Sequence, residues 1–212
     1  MTGSYTSSGT GAGHTAIYSP TSGWSVGPDF PNGDNAGDSF AALLPSGNVL
    51  VEGDSGTSYE FNGTTLTKGP ATFGCLMVLP TGQVLVGGSE VYTSTGTYNP
   101  AWAPAIHTVP KTLVRGTTYK ISGTQFNGLS QAAAFGDEYE TATNYPLVRI
   151  TNNSTGHVFY AKTHNHSTMG VATGAAVVST NFDVPAGMET GASSLVVVAN
   201  GIPSAAVSIT VN

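Results

Sequence analysis

One stretch of this chain occurs twice: Leu43-Leu44-Pro45-Ser46-Gly47-Asn48-Val49-Leu50-Val51-Glu52-Gly53 and Val78-Leu79-Pro80-Thr81-Gly82-Gln83-Val84-Leu85-Val86-Gly87-Gly88. Pro45 and Pro80 are 35 residues apart, and so are Gly53 and Gly88. Each copy is an apolar run, a Pro-polar-Gly-polar turn, a second apolar run and a glycine. That is the pattern of a β-hairpin. A hairpin recurring at this period, amid strand signals and no helical ones, predicts blades of a kelch-type β-propeller.

Outward from these copies lies a second kind of unit, an apolar strand, a tight turn and another strand. It reads as Thr15 to Val26, as Ser58 to Thr67, and as Val91 to Tyr98 leading to Trp102. Alternation of the two kinds gives about two and a half blades over residues 14–104, after a flexible leader at 1–13. The recurring aromatics are expected to pack between blades. Where Trp24, Tyr59, Tyr92 and Trp102 are exposed, they would offer faces on which sugar rings stack. Residues 29–39, rich in turn formers, form a loop.

Pro100, Pro104 and Pro110 mark a linker, after which the repeat stops. Strands are expected at Thr117 to Ser122, Gln131 to Phe135, Leu147 to Thr151, Val158 to Ala161, Ala175 to Val184, Ser193 to Ala199 and Ala205 to Val211. Seven strands in residues 105–212 predict an immunoglobulin-like β-sandwich. The fold class is therefore all-β, a partial kelch-type β-propeller followed by that sandwich.

Composition agrees. Of 212 residues 28 are glycine and only 8% are charged, which disfavours helices with charged wet faces. A net charge of −6 argues against a nucleic-acid or anionic-membrane surface. No apolar run reaches membrane-spanning length. The low lysine and high Thr, Ser, Asn and Gly content suits a bacterial extracellular or cell-surface protein. The start has neither a basic nor an apolar signal region, so secretion would imply a signal already removed. Cys75, the single cysteine, lies in an apolar run and is expected to be buried.

The repeats Leu44-Pro45-Ser46-Gly47-Asn48-Val49-Leu50 and Leu79-Pro80-Thr81-Gly82-Gln83-Val84-Leu85, with Phe182-Asp183-Val184-Pro185, Leu195-Val196-Val197-Val198 and Gly201-Ile202-Pro203-Ser204, carry a resemblance. The chain resembles the last part of the galactose oxidase and glyoxal oxidase family of copper radical enzymes, in which a kelch propeller precedes an immunoglobulin-like domain. That resemblance implies a copper held by two Tyr and two His, one Tyr being crosslinked to a Cys. The family's Tyr-His pair before the Leu-Pro-x-Gly hairpin falls here on Thr72 and Phe73, which cannot ligate copper. The crosslinked pair belongs to blades upstream, and Cys75 has no evident claim to that role. The family's remaining His has a counterpart in Thr163-His164-Asn165-His166-Ser167-Thr168-Met169.

Read without the family, His164-Asn165-His166 is the sharpest chemical feature. On a strand, residues i and i+2 share a face, so two imidazoles could share copper or zinc, with His157 joining from a neighbouring segment. Asp137, Glu138 or Glu140 could add an oxygen ligand. The plainer reading is a polar exposed turn. Asp137, Glu138, Glu140 and Asn144, or Asp29, Asp34, Asn35 and Asp38, could form a weak Ca²⁺ site. No Gly-x-Ser-x-Gly motif supports a nucleophile. Two and a half blades leave edges unpaired, so a homo-oligomer, as a trimeric ring or a filament, is expected to complete them. The leading expectation is a non-catalytic extracellular protein for assembly or for polysaccharide binding. The alternative is a metal-dependent enzyme using His164 and His166.

Overall fold

In a computed structural model the chain is all-β, with 44% of residues in strands and 3% in helical turns. Residues 2–3, 13–36, 39–70, 74–130, 132–135, 139–142 and 145–212 are described. Two compact units share the chain. One comprises Met1–Leu79, Gln83–Thr97 and Ala132–Thr141, the other Pro80–Gly82, Tyr98–Gln131 and Ala142–Asn212.

In the first unit, β1 (Thr2–Gly3), β2 (Thr15–Ser19) and β3 (Gly23–Val26) form a small sheet in that order. An antiparallel meander follows: β4 (Ala41–Leu43), β5 (Val49–Glu52), β6 (Ser58–Phe61) and β7 (Leu66–Lys68). A third sheet holds β8 (Leu76–Val78), β9 (Val84–Val86) and β10 (Glu90–Tyr92).

Both copies of the repeat are hairpins, closed in the same way. Leu44 N–H donates to the Asn48 carbonyl at 2.8 Å, and Leu79 N–H to that of Gln83 at 2.7 Å. Gly47 and Gly82 sit at φ of 90° and 86°, a conformation that glycine alone adopts cheaply.

Alternation along each strand then decides what is buried. Ala42, Leu44 and Leu50 from the first copy share one cluster with Leu76, Val78, Val84 and Val86 from the second. The repeats thus bury their apolar faces in one core, each large side chain stabilising the unit by about 1.5–3 kcal/mol. The opposite face of the meander packs Val51 and Tyr59 against Phe30. Cys75 is exposed, contrary to expectation, because Leu76 and Val78 take the inward positions and their neighbours face out. The expected return strand after Tyr92 is also missing from the described residues. Residues 93–99 run as irregular chain instead, and Asn99 caps a short 3₁₀ turn, Pro100–Trp102.

The proline-marked linker contributes strands of its own, β11 (Ala105–Thr108) and β12 (Thr112–Leu113), followed by β13 (Thr118–Thr124). Next come β14 (Ala132–Phe135) and β15 (Tyr139–Ala142). These extend the meander instead of joining the later strands: β14 pairs antiparallel with β4, Ala134 opposite Ala41. The sheet there runs β15-β14-β4-β5-β6-β7.

The rest of the second unit is β16 (Leu147–Asn152), β17 (Val158–His164), β18 (Val178–Asp183), β19 (Gly191–Ala199), β20 (Ile202–Pro203) and β21 (Val207–Val211). They join β11, β12 and β13 in the order β11-β13-β18-β17-β16-β19-β21-β12, with β20 beside β19. The sheet curls as a half-barrel. Ile121, Ile150, Phe182, Leu195, Val197, Ile209 and Val211, from successive strands, fill one core. The two ends of the sheet, β11 and β12, are consecutive in the chain. Residues 109–111 therefore cross the seam of the curl, and β12 continues parallel to β21.

Candidate ligand-binding surface

The hairpin of β2 and β3 reverses the usual rule for aromatic residues. Its register sets Tyr18 opposite Trp24 and Ala16 opposite Val26, so these four share one face. Tyr18, Trp24 and Val26 are 56%, 62% and 89% exposed. The two rings lie 5.2 Å apart at 54°, a tilted cross-strand pair. The turn beside them is polar: Ser19 and Thr21 hydroxyls bond each other at 2.9 Å, and Ser25 Oγ donates to the Ile17 carbonyl. An exposed aromatic pair beside hydroxyls offers two tilted apolar ring faces with hydrogen-bonding groups close by.

The other expected platforms differ. Tyr59 is 2% exposed, its ring edge-on to Phe30, so it has no face for a ligand. It is buried because Asp34 needs it. The Tyr59 hydroxyl donates to Asp34 Oδ2 at 2.8 Å and Ser55 Oγ donates to the same atom at 2.6 Å. Backbone N–H groups of Asn35 and Ser55 donate to Oδ1. Burial alone would raise the Asp34 pKa, but these four bonds together hold it below the ordinary value. Tyr92 is half-buried and donates to Glu60, and burial plus that carboxylate push its pKa up to about 12. Trp102 is half-buried in the 3₁₀ turn.

Two carboxylates were not anticipated as buried. Glu60 is 5% exposed and accepts from Asn48 and Tyr92. Glu52 is fully buried, accepts from Gly74 N–H at 2.9 Å through Oε1, and leaves Oε2 without a partner. Desolvation raises its pKa to about 7 against its backbone hydrogen bonds. Glu60 lies opposite Leu50 in the ladder, so both acids sit on the face that packs against the second hairpin. The sequence signal was there to read: Leu50 and Glu52 are i and i+2 on one strand.

The histidines part company. His164 Nε2 lies 3.0 Å from Asp183 Oδ1, while His166 Nδ1 lies 3.0 Å from Thr180 Oγ1. Asp183 and Thr180 are three apart on β18 and so point to opposite faces. The cause is Asn165 at φ 52°, which ends the strand's alternation between the two rings. The same-face geometry expected of His-x-His is therefore not formed. Burial, then the charge of His164, hold the His166 pKa below its ordinary value. His157 precedes the seven-residue β17 and is 2.7 Å from Glu189. At about 3.3 Å per residue the length of β17 separates it from His164, so the two cannot share an ion.

Among the described residues no group of three or more His, Cys, Asp and Glu is arranged to hold a metal ion. Among the described residues, His157, His164 and His166 are therefore not brought together as ligands of one copper or zinc ion. For Ca²⁺, Asp29 is engaged by His14 at 2.7 Å and both Asp34 oxygens are occupied by donors. Asp38, Asp137, Glu138, Asn144, Thr72 and Phe73 lie outside the described residues, and Glu140 is placed only by its backbone in β15. Among the described residues no helix is long and apolar enough to cross a membrane. No protein-family model matches the chain, and no curated protein matches it either.

Proposed function

We propose that this chain is a non-catalytic extracellular β-protein that binds polysaccharide through the Tyr18–Trp24 face. The exposed, paired rings carry that reading. A sugar ring presents axial C–H groups to an aromatic face and hydroxyls at its rim, which is the complement of this surface. The composition, poor in lysine and rich in Thr, Ser, Asn and Gly, supports an extracellular or cell-surface location.

On this reading the meander β4–β7 is one kelch-type blade and β8–β10 most of another, since the repeated hairpins pack face against face. The seam crossing of β11 and β12 supports an immunoglobulin-like sandwich for the second unit. Both belong to an architecture like that of the galactose oxidase and glyoxal oxidase family, from which the copper chemistry has been lost. The incomplete set of blades favours a homo-oligomer, as a closed ring or filament.

Calorimetric titration with a neutral soluble glucan tests the binding reading, since its signal does not depend on Trp24, one of the chain's two tryptophans. Trp24→Ala and Tyr18→Ala should each weaken binding about tenfold or more, as central aromatic contacts do, whereas Trp102→Ala should not. Equal affinity in all three variants, at unchanged melting temperature, would refute it.

A further inference from the structure

The seam of the curled sheet holds a second feature, independent of the aromatic face. The half-buried Ile106, Val109 and Val207 line an open-sided groove of about 580 Å³ together with the exposed Pro110, His107, Lys111 and Lys120. Its shape follows from the strand switch. β11 pairs with β13 at one end of the sheet and β12 with β21 at the other, so residues 109–111 span the gap between them. The β11–β13 ladder shifts register between Ile106 and Thr108, which sets His107 at the irregularity. Thr108 and Ser122 hydroxyls bond each other on the same ladder and add polar groups beside Lys120.

The charge pattern is out of keeping with the whole. The chain has twice as many acids as bases, yet two of its six basic residues line this one groove, and no carboxylate lines it. Neither Lys111 nor Lys120 forms an ion pair among the described residues, where the pairs present all involve histidine. The nearest acid in the ladder, Asp183, stands opposite Thr118 and is engaged by Thr118 and His164.

We infer that this groove binds a uronate, a sugar ring bearing one carboxylate, within an acidic polysaccharide. The ammonium groups meet the carboxylate, the aliphatic side chains meet the ring's C–H face, and the Thr108 hydroxyl meets its edge. A sulfated sugar carrying several charges per ring fits less well, because some charges would lie desolvated against Ile106 and Val207.

Calorimetric titration of the intact chain with tetragalacturonate, maltotetraose and a sulfated tetrasaccharide decides it. Tetragalacturonate should bind, more weakly as salt rises, and lose about tenfold or more in affinity in the Lys111→Gln/Lys120→Gln variant. Lys162→Gln, an exposed lysine on β17, should keep the affinity, and so should Trp24→Ala. Loss in Trp24→Ala instead would assign the acid sugar to the aromatic face and overturn the groove. Equal binding of maltotetraose to the Trp24→Ala chain, which lacks the aromatic face, or tighter binding of the sulfated sugar, would overturn the uronate. Should the double variant fail to fold, amide shifts in the unmodified chain replace it: tetragalacturonate must move His107, Thr108 and Lys111, and shifts confined elsewhere refute the site.

Discussion

Replacing Glu52 by glutamine isolates a single buried charge. Glu52 is 0% exposed, and burial raises its pKa from 4.5 to about 7 in the folded chain. The folded state therefore holds this proton more tightly than the unfolded state does. Its contribution is fully present below pH 4.5 and is lost as pH rises to about 7. A displacement of that size corresponds to about 3 kcal/mol, an upper value because water and backbone relax around a buried charge. In Glu52→Gln the amide oxygen would still accept from Gly74, and the amide nitrogen would occupy the place of Oε2, where the protonated acid's O–H has no partner either, so the variant resembles the neutral acid.

The two proteins should thus be close in stability near pH 4.5, and the wild type should be the less stable near pH 8. Urea unfolding of both proteins across that range measures it. The difference between the curves is the informative quantity, because His166, with its lowered pKa, acts in the opposite sense. Its neutral form is favoured in the fold, so its stability is present above pH 6.5 and lost as pH falls. That contribution is common to both proteins and cancels. The depressed Asp183 and Glu189 act below their ordinary values of 3.8 and 4.5, outside the window. Parallel curves between pH 4.5 and 8 would show that Glu52 is solvated or paired, and the account of the buried acid would fail.

Two further outcomes follow from the packing. Tyr59→Phe removes one of four donors from the Asp34 carboxylate and should destabilise the first unit by about 2 kcal/mol, measured by chemical unfolding. It should also raise the Asp34 pKa. If the hairpins complete a ring or filament between copies, light scattering will report a mass above 21.5 kDa, and a monodisperse monomer would refute self-association.

Strand positions in the second unit were nearly all legible. Leu147, Val158 and Ala199 bound observed strands where the alternation placed them. The expected strand at 175–184 also formed, as Val178–Asp183, and a strand formed at Ala132–Phe135, although in the first unit. The candidate sites were less legible. Tyr18 was overlooked beside Trp24, although their cross-strand register follows from the hairpin itself. The His-x-His geometry failed on one residue, Asn165, whose left-handed conformation no period reveals.

Sequence alone determined the repeated hairpin. A turn needs only a glycine able to adopt positive φ, and its two arms are neighbours in the chain, so Gly47 and Gly82 suffice. Alternation likewise divides each strand into two faces. Which face is covered depends on partners far along the chain, and that only the tertiary structure decided. It paired Ala132–Phe135 with β4, carried Tyr59 inward to Asp34, left Cys75 outside and sealed Glu52 behind the second hairpin. Local chemistry specifies where the chain turns, whereas burial is a property of contacts that local chemistry does not contain.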